Sequence, residues 1–148
     1  MPAVNHSANL AVSLVAVLRN HAPLAALVGA RIFGGMAAQG SAMPRIIFHE
    51  ISSNNDHQHD SATTEDPGID ETLIQFDCEA RTLSAARAVT DAIAGVLNGA
   101  APGGSPADLQ GCFREPGGFA QPMDRDTGDG VAEAHRISVT YRILWRDA

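Results

Sequence analysis

The sequence predicts an α+β fold: a mainly antiparallel sheet of four to five strands with two main helices packed on one face. Segments with a helical apolar period alternate along the chain with segments in which apolar and polar residues alternate. Three consecutive strand candidates precede the second main helix, an order that favours antiparallel pairing. The 148 residues are the usual length of one domain, so we predict a single domain over residues 1–148.

The first helix is predicted from a stripe of leucines. Leu10, Leu14 and Leu18 recur every four residues and share one helical face. The segment HAPLAALVG then suits a short second helix, because Pro23 is favoured in a first turn and Gly29 at a helix end. No run of about 18 apolar residues occurs, so the sequence predicts no membrane span.

Three strand candidates follow: ARIF, RIIFHEIS (residues 45–52) and TLIQFDCEAR (residues 72–81). The third alternates clearly. Ile74, Phe76 and Cys78 point to one side, and Asp77 and Glu79 point to the other. This pattern is typical of a half-buried strand with one wet or interface face.

The period then changes from 2 to 3.6, which predicts the second main helix. Thr82 or Ser84 can cap its start, and Gly99 can end it. LQGCFRE (residues 109–115) is a modest strand, residues 116–130 form a loop, and HRISVTYRILW (residues 135–145) is the last strand. Cys78 and Cys112 fit no zinc or redox motif, so we predict small apolar core residues with free thiols.

The composition restricts the function classes. The formal net charge is −7 and all ten basic residues are arginines. Binding to a nucleic-acid backbone needs clustered positive charge, so this balance argues against general nucleic-acid affinity and favours a protein partner. GARIFGG lacks the GK[ST] ending of a phosphate-binding loop, and neither GxSxG nor HExxH occurs. We therefore predict that the protein is not an enzyme and has no cofactor.

A long acidic loop, SSNNDHQHDSATTEDPG (residues 52–68), separates the second and third strand candidates. His57, His59 and Asp60 are metal-ligand types, and two imidazoles at this spacing can bind one metal ion. The sequence lacks recognisable third and fourth ligands, so we predict no metal site. Two interpretations stay open, a solvated loop and a loop that contacts a partner, since structureless loops above about 12–15 residues are uncommon unless functional.

The polar strand faces leave a similar choice. Carboxylates on the third strand and arginines on the last can be adjacent across the sheet, either as solvated ion pairs or as part of a subunit interface. The candidate oligomer or partner interface therefore comprises Asp56, His57, His59, Asp60, Glu65, Asp66, Asp77, Glu79, Arg136 and Arg142.

Three segments carry a family resemblance: APLAALVGARIFGGMAAQGSAMPRIIFHEIS, LIQFDCEARTLSAARAVTDAIAGVLNG and HRISVTYRILWR. In this order they resemble the tail-completion, or tail-terminator, family of long-tailed bacteriophages and phage-like gene transfer agents. The resemblance implies a structural protein of the virion tail, assembled in the bacterial cytoplasm. It implies a homo-oligomeric ring, usually a hexamer, that caps the head-proximal end of the tail tube.

The partners implied by the resemblance are the tail-tube protein and the head-connector (stopper) protein, and DNA passes through the ring without specific binding. Two alternatives from other classes remain. One is a small metal-dependent hydrolase that uses His57, His59 and Asp60, and the other is a bacterial binding module.

Overall fold

The computed structural model describes residues 6–37, 41–56, 69–123 and 134–148. Within these ranges the chain forms three helices and six strands, which confirms the α+β prediction. The helices are α1 (His6–Arg19), α2 (Ala22–Val28) and α3 (Leu83–Leu97); the strands are β1 (Ile32–Gly34), β2 (Arg45–Asp56), β3 (Ile69–Ala80), β4 (Ala107–Arg114), β5 (Phe119–Met123) and β6 (Ala134–Asp147).

The strands form one sheet in the order β1-β2-β3-β6-β4, and β5 also pairs with β6. β1 runs parallel to β2, and the other pairings are antiparallel. β4 and β5 lie end to end along the same side of β6, because β3 occupies its other side. β1 therefore forms one edge of the sheet, and β4 with β5 forms the other.

The predicted count of four to five strands is low by at least one, because the described residues contain six. The missed strand is β5, in the segment predicted as a loop. Pro122 lies within it and Gly117 and Gly118 precede it, a composition that argues against a strand. Proline is tolerated here because β5 is an edge strand with β6 as its one neighbour among the described residues.

The hairpin of β2 and β3 is longer than predicted. Pairing continues from Ser52 opposite Leu73 to Asp56 opposite Ile69, so residues 52–56 belong to a strand and not to the acidic loop. Serine and asparagine are poor strand formers, and this explains the early end of the prediction. Residues 57–68, the rest of that loop, lie outside the described residues.

The helices cover one face of the sheet and form the core with it. The predicted leucine stripe of α1 is confirmed, because Leu10, Leu14 and Leu18 are buried. On the sheet, Phe76 and Tyr141 pack edge to face with ring centroids 5.7 Å apart. The other large buried side chains of this core are Leu24, Ile46, Ile93, Leu97, Leu109, Ile143 and Trp145.

Local signals for the helix ends are also confirmed. The Thr82 hydroxyl accepts a hydrogen bond from the Ala85 backbone N–H at 3.1 Å and caps α3. Gly29 follows α2 with a φ of 57°, a conformation that favours glycine. Within the described ranges, no single helix is long and apolar enough to cross a membrane; α1 and α2 meet that test only as a pair bent by 93°.

The cysteines are buried and free, as predicted. Burial disfavours the thiolate, which raises the pKa of Cys78 to about 12 and that of Cys112 to about 11. Both thiols are therefore neutral at physiological pH.

Candidate interface on the open face of the sheet

The face of the sheet turned away from the described helices is called the open face here. Alternation along β3 directs Ile74, Phe76 and Cys78 into the helix-covered core, as predicted. Asp77 and Glu79 therefore belong to the open face. Neither carboxylate is solvated in the described subunit, because Asp77 is 5% exposed and Glu79 is 1% exposed.

Glu79 lies between two arginines from the neighbouring strands. Its Oε1 accepts a hydrogen bond from Arg45 Nε at 2.7 Å, and its Oε2 accepts from Arg136 Nη2 at 2.8 Å. Arg45, Glu79 and Arg136 stand directly opposite one another in the registers of β2, β3 and β6. Arg45 Nη1 also donates to the Ser41 hydroxyl at 2.9 Å. This row ties three strands together, and a one-residue slip of β3 would turn the carboxylate into the apolar core.

Asp77 is held by neutral and imidazole donors. Its Oδ1 accepts hydrogen bonds from the Ser138 hydroxyl at 2.7 Å and from Gln75 Nε2 at 2.9 Å. His49 Nε2 lies 3.2 Å from its Oδ2. Each carboxylate oxygen of Asp77 therefore has a partner, which compensates for its removal from water.

Of the two predicted arginines, the structure brings Arg136 to the carboxylates but not Arg142. Arg142 lies opposite Leu73, nearer the far end of β6. Its Nε is 3.5 Å from Glu115 Oε1, and its guanidinium lies 5.5 Å from the centroid of the Phe113 ring. The interface role of all these residues stays a prediction.

Aromatic side chains border this polar centre on the side of β4 and β5. Phe113 is opposite Arg142, and Phe119 is opposite Ser138, so both rings belong to the open face. They are 40% and 54% exposed. Aromatic side chains are enriched in protein–protein interfaces, so this edge is a candidate contact surface.

The positions of the remaining predicted interface residues do not bear on the site. Asp56 is the last residue of β2, and His57, His59, Asp60, Glu65 and Asp66 lie outside the described residues. The hydrolase hypothesis, which uses three of them, stays a prediction. Within the described part of the chain, no group of three or more histidine, cysteine, aspartate or glutamate side chains is placed to hold a metal ion.

The sequence interpretation missed the partners of the two carboxylates, namely Arg45, His49, Gln75 and Ser138. Alternation in RIIFHEIS does place Arg45 and His49 on one face. It does not say which residue of β3 each one meets, because that depends on the hairpin register. The sequence therefore indicated the face on which these side chains lie but not the residues with which they pair.

Comparisons with known proteins agree with this architecture. A sequence model of the family described as tail completion protein gp17 matches residues 12–146. No curated protein sequence matches the chain. Among solved structures, a chain of the virion of a native gene transfer agent particle superposes with a TM-score of 0.62 at 20% sequence identity, over 97% of this chain and 98% of that chain.

The structural likeness shows a shared fold, and the family match spans most of the sequence, as the resemblance of the three segments implied. The chain therefore belongs to the family of the tail completion protein gp17 and is a structural protein of a phage-type tail.

Proposed function

We propose that this protein forms a ring, a hexamer by the resemblance of its sequence, that caps the head-proximal end of the tail tube. The ring stops tube polymerisation and provides the surface that joins the tail to the head connector. The observation that carries the proposal is the family match over residues 12–146. The fold shared with a chain of a gene transfer agent virion supports the same location in a particle.

The described surface suits a protein that works through contacts. Within the described ranges no further strand pairs with the outer side of β1 or β5, and such edges can pair with another chain. The outer side of β4 is instead covered by residues 99–103, which pair with Leu109 and Cys112. The open face carries a satisfied polar centre and exposed aromatic rings. The net charge of −7 suits a lumen through which DNA slides, because carboxylates repel phosphates.

Two measurements test the proposal. Mass photometry and negative-stain imaging should show closed rings of one size, either alone or on addition of the tail-tube protein. In a tube-assembly reaction, this protein should shorten the tubes at a low molar ratio, because one ring per tube end suffices. A strictly monomeric protein that neither binds tube subunits nor changes tube length would contradict the proposal.

A further inference from the structure

Asn98 and Gly99 follow α3 directly and form the one asparagine–glycine step in the sequence. An asparagine side chain that precedes glycine is chemically labile, because glycine has no Cβ to hinder approach of its backbone nitrogen to the side-chain amide. Asn98 is the C-cap residue of α3, and both residues are exposed to solvent. Water and hydroxide therefore reach this step in the folded subunit.

The reaction at such a step is deamidation. The Gly99 nitrogen loses its proton to base and attacks the side-chain Cγ of Asn98. A bond forms between that nitrogen and Cγ, the C–N bond of the side-chain amide breaks, and ammonia leaves with a proton taken from water. Water then opens the cyclic imide at either of its carbonyl groups, which leaves aspartate or isoaspartate at position 98.

The folded chain withholds the nitrogen that this reaction needs. The Gly99 N–H donates to the Cys112 carbonyl oxygen at 2.8 Å, and the Cys112 N–H donates back to the Ala100 carbonyl oxygen at 2.8 Å. Cys112 is fully buried in β4, so its carbonyl is held in place. A Gly99 proton engaged in this bond is protected from base, and the nitrogen that carries it is turned toward β4 and away from solvent.

The same step begins a segment that covers a sheet edge. Residues 99–103, called the strap here, run along the outer side of β4. At the far end of the strap, Gly103 and Leu109 exchange two backbone hydrogen bonds, at 2.9 and 3.1 Å. An aspartate at position 98 places a negative charge at the C-terminal end of α3, where the helix dipole disfavours it. An isoaspartate adds one carbon atom to the backbone and shifts Gly99 relative to Cys112.

We propose that Asn98 is a deamidation site that the fold holds unreactive, and that the hydrogen bond from Gly99 to Cys112 is what suppresses the reaction. Deamidation then requires the strap to open locally, without unfolding of the whole subunit. Its isoaspartate product no longer matches the register of β4, so the strap is loosened and the β4 edge becomes available to other chains. This inference does not depend on the proposed ring.

The test compares the full chain folded in dilute solution with the same chain unfolded in urea, at equal, mildly alkaline pH. Peptide mass spectrometry, with separation of the aspartate and isoaspartate products, follows conversion at position 98. Conversion should be at least about tenfold slower in the folded chain, because the two backbone hydrogen bonds to Cys112 must open together first. In Asn98→Gln the unfolded chain should show almost no conversion, because glutamine would have to form a larger ring.

Hydrogen exchange of the Gly99 amide identifies the cause of the protection, because exchange and deamidation both begin with loss of the same proton. This amide should also be protected at least about tenfold relative to the unfolded chain. Below the unfolding transition, added urea should raise the two rates in parallel.

Three outcomes would overturn the inference. Equal conversion in folded and unfolded chains would show that the fold does not suppress the reaction. Slow conversion with an unprotected Gly99 amide would assign the suppression to something other than this hydrogen bond. Conversion in Asn98→Gln at the wild-type rate would place the reaction at another residue.

Discussion

Removal of the Glu79 carboxylate should weaken the pairing of three strands at once. Its carboxylate is almost fully buried on the open face and receives hydrogen bonds from Arg45 and Arg136 on the two flanking strands. Glu79→Ala leaves two arginines facing each other across β3 without the charge between them. The substitution therefore replaces a hydrogen-bonded arginine–glutamate–arginine row with two positive charges that lack a partner between them.

The magnitude follows from the burial of the three partners. Removing one member of a buried ion pair typically costs about 3–5 kcal/mol, because the remaining charge is left without compensation. The side chains of Arg45 and Arg136 are 18% and 32% exposed and can regain some hydration, so we expect a loss of about 2–3 kcal/mol. For a chain of this length the melting temperature should fall by about 5–10 °C.

Urea unfolding followed by circular dichroism, at one fixed protein concentration, measures this loss. Arg146→Gln is the matched control, because Arg146 lies on the same face of β6 in an exposed ion pair with Asp108 at 3.6 Å. It should cost less than about 1 kcal/mol. An equal effect of Glu79→Ala and Arg146→Gln would refute the argument that the buried row stabilises the sheet. Replacing the whole row by Glu79→Leu with Arg45→Met and Arg136→Met should recover most of the stability.

Three further predictions concern the core and the helix cap. The buried Tyr141 hydroxyl has no hydrogen-bond partner among the described residues, so Tyr141→Phe should leave the free energy of unfolding unchanged or raise it by up to about 1 kcal/mol. Burial raises the pKa of Cys78 to about 12 and that of Cys112 to about 11. As the pH rises, the thiols of the unfolded chain therefore ionise before those of the folded chain. The stability that the two thiols contribute should be complete below about pH 9 and should fall as the pH rises toward 11–12. Both thiols should react with a disulfide reagent only after unfolding, and Cys78→Ala should flatten the alkaline decline. Thr82→Ala should cost about 1 kcal/mol in thermal unfolding because it removes the α3 cap, and an equal loss for Ser84→Ala, inside the helix, would argue against capping as the cause.

The elements that were predicted well are those in which a regular apolar pattern extends over many residues. The α1 leucines and the alternation of β3 fix which side of each element is buried, because each wrong period would expose apolar groups. Short or polar strands carry no such signal. β5 contains Pro122, and the outer part of β2 is built from serine and asparagine, so only their pairing partners make them strands.

For the candidate site, the sequence predicted the sheet face on which the carboxylates lie but not their hydrogen-bond partners. Alternation assigned Asp77 and Glu79 to the non-core side correctly. Their burial depends on side chains from two other strands, and β6 reaches β3 from more than 50 residues away, with an ion pair from Arg136 that spans 57 positions. The order of strands in a sheet is a tertiary property that cannot be read from one sequence. For the same reason the sequence could not show that Arg142 lies away from the two carboxylates.

The arrangement of charge on the open face bears on how a ring-forming subunit avoids indiscriminate association. A wholly apolar open face would pair with any other exposed sheet, whereas Asp77 and Glu79 keep its centre polar with their hydrogen bonds satisfied. Among the described residues, the exposed large aromatic side chains are Phe113 and Phe119, at the β4 and β5 edge. In the proposed ring, this polar centre should disfavour face-to-face stacking of two sheets, which is a separate role from holding the strands in register.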